Sequence, residues 1–324
     1  MTATSGRTLP MILGEVEAVD VERLSPSFMR VELAGPELAD FGVQGELYDQ
    51  RIKLIFPGVS GELPSLSGHE SWYSAWLNLP DAERGHMRTY TVREVRGSGR
   101  DARVVVDFVL HGEYAEHPER GAGPGESGPG SSWAAKARVG DRLVLVGPRR
   151  GEYFGGIEFA PGGLREVLLV ADETAVPAAC AILSALDAGV RGAAFLEVPE
   201  SGDVQDIPVP AGIDVVWLPR DGAAHGRRQV AAVRRHLGLA PTDALVDDRQ
   251  VLPDLWETPT YSSSGELTTD SAAGAGESGG LYAWIAGESK MVTTLRRCLV
   301  REAGLDRRQV AFMGYWRHGV AMRG

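Results

Sequence analysis

The chain has 324 residues, 43% hydrophobic and 24% charged, with a formal net charge of −11, the balance of a globular protein with room for two cores. The acidity excludes a general nucleic-acid or membrane-surface binder, and no apolar run reaches the ~18 residues of a membrane span. Cys180 and Cys298 fall on apolar helical periods and read as core thiols, and residues 1–10 lack a signal-peptide layout, so a cytoplasmic monomer or weak dimer is expected.

Residues 12–19, 28–33, 51–56, 88–95, 103–110 and 142–146 are short runs of Val, Ile, Leu and Phe broken by Gly, Pro, Asp and Ser. Six such strands over about 140 residues fit a small antiparallel β-barrel. Residues 71–82, with Trp72, Tyr73, Trp76 and Leu77, interrupt them as a short amphipathic helix ending near Pro80. Residues 113–130 are rich in Gly and Pro without a large aliphatic side chain, which predicts an exposed loop. A second Gly-rich stretch marks a domain boundary, giving a first domain over 1–150, a linker over 151–164 and a second domain over 165–324.

After the boundary the period changes. Strand patterns at 167–171, 193–198, 213–218, 281–286 and 310–315 alternate with helical ones. One helix carries Val176, Cys180, Leu183 and Leu186 before Gly189. Another spans 228–237, and a third carries Met291, Val292, Leu295, Cys298 and Leu299 before Gly304. This order predicts an open α/β parallel sheet covered on both sides, so the fold class is a two-domain β-barrel plus α/β protein. Residues 262–280 hold Ser, Thr, Gly and Ala with little to bury and read as a disordered insertion.

The chemistry gathers on the stretch 88–93, Arg-Thr-Tyr-Thr-Val-Arg. Strand alternation puts Arg88, Tyr90 and Val92 on one face and Thr89, Thr91 and Arg93 on the other. A guanidinium beside a phenol suits a dinucleotide with a large ring system, such as FAD; a solvated edge strand is the alternative. Residues 128–134 place small residues at a helix start, where backbone amides face an anion, or form an ordinary loop-to-helix turn. Asp172-Glu173-Thr174 follows the first strand of the second domain, at the edge where open α/β sheets bind nucleotides. There is no G-x-G-x-x-G there, and Thr174 also suits a simple helix cap.

Seven motifs occur in one order. They are 88–93, Asp107-Phe108-Val109-Leu110-His111-Gly112, 128–134, Gly140-Asp141 through Gly147-Pro148, Ala171-Asp172-Glu173-Thr174-Ala175-Val176-Pro177, Trp284-Ile285-Ala286-Gly287-Glu288, and Gly314-Tyr315-Trp316-Arg317-His318-Gly319. In that order the chain resembles the siderophore-interacting proteins, a ferredoxin-reductase-like family. The resemblance covers nearly the whole chain. It implies an FAD-dependent reductase of ferric siderophores that takes electrons from NAD(P)H and releases iron(II). It assigns the first domain to FAD and the second to NAD(P)H.

Residue by residue, it implies that Arg88 meets the FAD diphosphate and Tyr90 the isoalloxazine, with Thr91 near the reactive edge. Thr89, Asp107, His111, Gly112, Ser131, Ser132 and Trp133 belong to the same site, His111 through its ring or only its backbone, and Trp133 as ring support or core anchor. Asp172, Glu173, Thr174, Gly287 and Glu288 are implied for NAD(P)H, and Trp316 as a cover on the flavin face. Arg220 is read as a solvated surface residue or a partner for a 2′-phosphate. Lys53, Arg317 and His318 are expected to grip the siderophore. Residues 286–324 hold eight Lys or Arg against three Asp or Glu, a patch that attracts an anionic chelate. The seven histidines are scattered, so no protein-bound metal is expected. Two departures from the family pattern stand out: residues 113–127 intervene between His-Gly and Gly-Pro-x-Ser, and Gly130 replaces the usual Ala. A general flavin reductase acting on ferredoxin, quinone or ferric chelates, and a non-catalytic siderophore-binding flavoprotein, are the alternatives.

Overall fold

A computed structural model of the chain describes residues 9–66, 71–111, 128–252, 255–259 and 280–320. Gly112, residues 113–127 of the expected loop and residues 262–279 of the expected insertion lie outside the described residues. The chain divides into two compact units, the first running to Gly156 and the second from Ile157 onward, with Ser25–Ser27 grouped in the second.

The first unit is one seven-stranded sheet. In chain order the strands are β1 (Met11–Ser25), β2 (Phe28–Ala34), β3 (Arg51–Phe56), β4 (His86–Thr91), β5 (Glu94–Arg96), β6 (Arg103–Val109) and β7 (Arg142–Pro148), arranged β4-β3-β7-β1-β2-β6-β5. The β4–β3, β3–β7, β7–β1, β2–β6 and β6–β5 pairings are antiparallel. Along β2 the burial alternates, putting Met29, Val31 and Leu33 on the inner face, as a strand with one solvated side requires.

The expected single strand over 88–95 is two strands at opposite edges of the sheet. Val92 N–H donates to Gln50 O beside β3, and Arg93 N–H donates to Val105 O on β6. A two-residue link between opposite edges is possible only if the sheet curls round on itself, so the expected barrel is a curled half-barrel. The expected helix over 71–82 is also two pieces, α1 (Trp72–Leu77) and α2 (Asp81–Arg84), parted at Pro80. Trp76 plugs them onto the outer face of the sheet beside Ile55, Met87 and Val144, its indole N–H donating to Arg84 O at 2.8 Å. A third short helix, α3 (Pro129–Ala134), packs on β3, β4 and β6.

The second unit has six strands: β8 (Glu166–Ala171), β9 (Arg191–Val198), β10 (Ile213–Pro219), β11 (Trp256–Glu257), β12 (Leu281–Glu288) and β13 (Val310–Trp316), in the order β10-β9-β8-β12-β13-β11. Five are parallel, but β11 runs antiparallel to β13. The sheet is therefore mixed rather than purely parallel. Strand β11 has two residues, too few to show a period of its own.

Helices α4 (Val176–Ala185), α5 (Arg227–His236) and α6 (Ser289–Arg297) cover the sheet. Val230 and Val233 of α5 and Met291, Val292 and Leu295 of α6 join Leu168, Val170, Ala193, Phe195, Ile285 and Phe312 in one core. Alternate strand residues face the other way. Helix α4 packs on β8 and β9 outside that core, which assigns it to the opposite face. Cys180 and Cys298 are both buried.

Candidate functional site

Cross-strand pairing decides which side chains of β4 share a face. Ile52 opposes Tyr90 and Leu54 opposes Arg88, so both point with the core side of β3; Lys53 opposes Thr89 on the other side of the sheet. The Tyr90 ring lies 4.6 Å from Phe108 and 6.0 Å from Phe56, and burial pushes its phenol pKa up, so it stays protonated. Arg88 is half-buried; one Nη1 donor meets Met87 O at 2.7 Å, and the rest meet no protein acceptor among the described residues.

Helix α3 closes over this face. A Cβ at Gly130 would come 1.8 Å from the Tyr90 hydroxyl. The departure from the family's Ala is therefore a fit between two positions. Buried Ser131 accepts the His111 N–H at 3.0 Å, so His111 meets the helix through its backbone. Trp133 packs 5.5 Å from Phe56 and 5.7 Å from Phe108, the core-anchor alternative. Ser132 is half-buried, and Thr91 is buried opposite Arg51. Asp107 is buried with both oxygens on Arg30, at 2.7 and 2.8 Å, and Arg93 stands 3.8 Å away. Its carboxylate ties β2 to β6.

On the far face Lys53 Nζ donates to Thr89 Oγ1 at 2.5 Å. Partial burial first, and Arg51 second, lower the Lys53 pKa.

In the second unit the strand order reverses at β8: β9 and β10 lie on one side, β12 and β13 on the other. Open α/β sheets bind ligands in the crevice outside the strand ends at such a switch point. Asp172, buried just after β8, accepts Thr174 N–H and Oγ1–H on one oxygen (2.9 and 2.6 Å). Its other oxygen accepts Glu288 N–H (2.6 Å) and the Trp316 indole N–H (2.7 Å). Burial, then Glu173, push its pKa up. Gly287 has φ 140°, and a Cβ there would come 2.5 Å from the Asp172 carboxyl, so both backbone and space require glycine. The Glu288 side chain caps α6, accepting Lys290 N–H at 2.7 Å and Met291 N–H at 3.0 Å, and accepts His318 N–H at 3.3 Å. Thr174 does not cap α4, whose N-cap is Ala175.

Arg220 is not on the surface. It is buried and grips Glu173 with two bonds, 2.6 and 2.8 Å, while Nη1 reaches Glu197 at 3.3 Å. Glu197 also accepts Gly226 N–H at 2.9 Å, and burial pushes its pKa up to about 7. His225 stands 3.8 Å from Glu173, with its ring centroid 5.0 Å from Trp316 and 5.8 Å from the exposed His318. Sequence reasoning passed over Glu197 and His225. The available signal was a lone acid inside the apolar run 193–198, since a charge in a buried strand needs a partner. Arg317 donates to Asp248 O at 3.4 Å, and Lys290 pairs with the Asp248 carboxylate at 2.8 Å.

Residues 17–152 match the siderophore-interacting FAD-binding domain, and residues 164–319 match the siderophore-interacting protein family. The chain belongs to the siderophore-interacting protein family. It is 31% identical over 309 residues to an uncharacterized protein of Mycobacterium tuberculosis, covering 94% of this chain and 89% of that one. It is 27% identical over 320 residues to the ferric vibriobactin reductase of Vibrio cholerae, covering 97% and 91%. The NADPH-dependent ferric-chelate reductase of Escherichia coli is 24% identical over 308 residues, covering 93% and 92%. Among solved structures, a siderophore utilization protein from T. fusca superposes with a TM-score of 0.66 and 27% identity, covering 97% and 96%. As in that siderophore-utilization structure, the fold is a half-barrel unit followed by a mixed α/β unit. Among the described residues, no helix is long and apolar enough to cross a membrane, and no His, Cys, Asp and Glu cluster could hold a metal ion.

Proposed function

We propose that this siderophore-interacting protein is an FAD-dependent ferric-siderophore reductase, with a nicotinamide dinucleotide as electron donor. The observation that carries the reading is the face shared by Arg88 and Tyr90 inside the segment that matches the FAD-binding domain. Arg88 fits a diphosphate because a planar fork of donors is held half-buried, most of them meeting no acceptor among the described residues. Tyr90, held by Phe108, Phe56 and Gly130, offers a fixed aromatic surface beside it. Bound FAD supplies the exchange between a two-electron hydride donor and a one-electron ferric acceptor.

The chain's own part is position and electrostatics. Thr91 and the α3 start would border the cofactor; the switch point of the second unit would take the dinucleotide, with Thr174, Gly287 and Glu288 at its mouth. The names of the Vibrio and Escherichia relatives support both the ferric substrate and the nicotinamide donor. Lys53 in the first unit and, separately, Arg317 and His318 in the second offer positive or hydrogen-bonding groups that would suit an anionic chelate.

The test is anaerobic titration of the purified protein with NADH and NADPH, followed by a panel of ferric siderophores. Flavin absorbance should bleach with at least one nucleotide and recover on adding the ferric chelate. In the same protein Arg88→Ala should lower flavin occupancy, a charge-assisted contact being worth about 1.5–3 kcal/mol. Exposed Arg297→Ala is the control. Equal flavin retention in both variants would remove Arg88 from the diphosphate site.

A further inference from the structure

The family resemblance implies that Asp172 touches a nucleotide. The structure gives both of its oxygens to the protein itself. Four donors from three places in the chain converge on this one buried carboxylate: Thr174 twice, Glu288 and Trp316. An acceptor-only group facing four donors has no neutral isostere: an Asn amide keeps one acceptor oxygen, so its NH2 must face either the Thr174 N–H or the Glu288 and Trp316 N–H groups. Only removal of the whole carboxylate breaks the Trp316 bond with certainty.

The strand order fixes what the Trp316 bond does. Trp316 ends β13 and Asp172 follows β8, with β12 between them. Neighbouring strands lie ~4.8 Å apart. An indole whose N–H reaches 2.7 Å from Asp172 therefore lies across the carboxyl end of β12. The residues beneath are Gly287 and Glu288, and Gly287 leaves the space in which the carboxylate sits. This is the switch-point crevice. The Trp316 backbone is fixed there as well, its carbonyl accepting the Ser289 hydroxyl at 2.8 Å. The residue is only half-buried.

We propose that Asp172 is a positioning residue that holds the Trp316 indole across the end of β12 as one wall of the dinucleotide crevice. The proposal rests on the reading that a nicotinamide dinucleotide binds at this switch point. Asp172 then acts through Trp316 and does not contact the nucleotide. A wall held at fixed height matters for hydride transfer more than for binding, because rate depends steeply on the placement of the reacting ring.

The experiment uses the full-length flavoprotein as Asp172→Ala, Trp316→Phe and the double variant. Phe keeps a ring and loses the donor, so Trp316→Phe tests the contact even if Asp172→Ala folds poorly. With ¹⁵N-labelled indoles, one of the seven Trp N–H signals is assigned by its loss in Trp316→Phe. In the wild type it should exchange slowly with solvent; in Asp172→Ala it should shift and exchange fast. In stopped-flow bleaching by saturating NADH or NADPH, each single variant should lower the limiting rate roughly tenfold to a hundredfold, with flavin content unchanged. The double variant should be no slower than Asp172→Ala alone, since both changes break one contact. An unmoved indole signal in Asp172→Ala, or rate losses that multiply in the double variant, would overturn the proposal. So would a wild-type rate in Trp316→Phe. A wild type that neither nucleotide bleaches would retire the dinucleotide reading itself, and this wall with it.

Discussion

Glu197 is a carboxyl group inside a buried strand, in contact with Arg220 and the Gly226 amide and near the like charges of Asp172 and Glu173. Burial outweighs the favourable contacts and raises its pKa from 4.5 to about 7. The folded protein thus keeps a proton that the unfolded chain releases, so stability is full below 4.5 and falls as pH rises toward 7. Glu197→Gln imitates the protonated form. It should match wild-type stability near pH 5 and exceed it by about 2–3 kcal/mol near pH 8, read from thermal melts at both pH values; an equal offset at both would discard the argument. A second residue-scale prediction concerns Gly130, whose missing Cβ is the space filled by the Tyr90 hydroxyl. Gly130→Ala, although it restores the family's usual residue, should cost about 1–3 kcal/mol by overpacking. Tyr90→Phe should recover part of that loss, and a double variant no better than Gly130→Ala alone would place the strain elsewhere.

At the scale of elements, strands are tied by charges that look in sequence like binding residues. The motif around Asp107 resembles a flavin-site segment, yet its carboxylate holds Arg30 of the paired strand with two bonds. Asp107→Asn should lower stability by about 2–3 kcal/mol, measured by urea unfolding, while each folded molecule keeps its flavin. Flavin loss at unchanged stability would give Asp107 back to the cofactor. A charged side chain also ends an element at α6, where Glu288 serves as the helix cap. In both cases the residue type was visible, but its partner was not, because hydrogen-bond capacity says only that a partner must exist.

For the whole molecule the net charge of −11 opposes an anionic substrate, so local positive groups must offset the field. Lys53 lies on the sheet face opposite Arg88 and Tyr90, while Arg317 ends the second unit's last strand region. If Lys53 meets the chelate, Lys53→Ala should raise KM for an anionic ferric siderophore severalfold at low salt and leave flavin bleaching by nucleotide intact. The effect should shrink toward 0.5 M salt, because exposed attraction is screened over ~10 Å at 0.1 M. A neutral ferric chelate losing as much as the anionic one would return Lys53 to its bond with Thr89.

Sequence alone determined the run of strands followed by alternating strands and helices, the inward faces of α5 and α6, and the motif order that identifies the family. These are short-range properties: period, punctuation and order are carried by neighbouring residues. Only the tertiary structure decided that 88–95 is two strands, because Val92 and Arg93 bond to Gln50 and Val105 on opposite edges of a curled sheet. It also decided that β11 runs antiparallel and that Arg220 is buried between Glu173 and Glu197. The Asp172 knot belongs here too, for its partners Glu288 and Trp316 are 116 and 144 residues away. No local pattern encodes which distant donor a buried carboxylate will find; that is chosen by strand order, which brings three chain ends to one edge of the sheet.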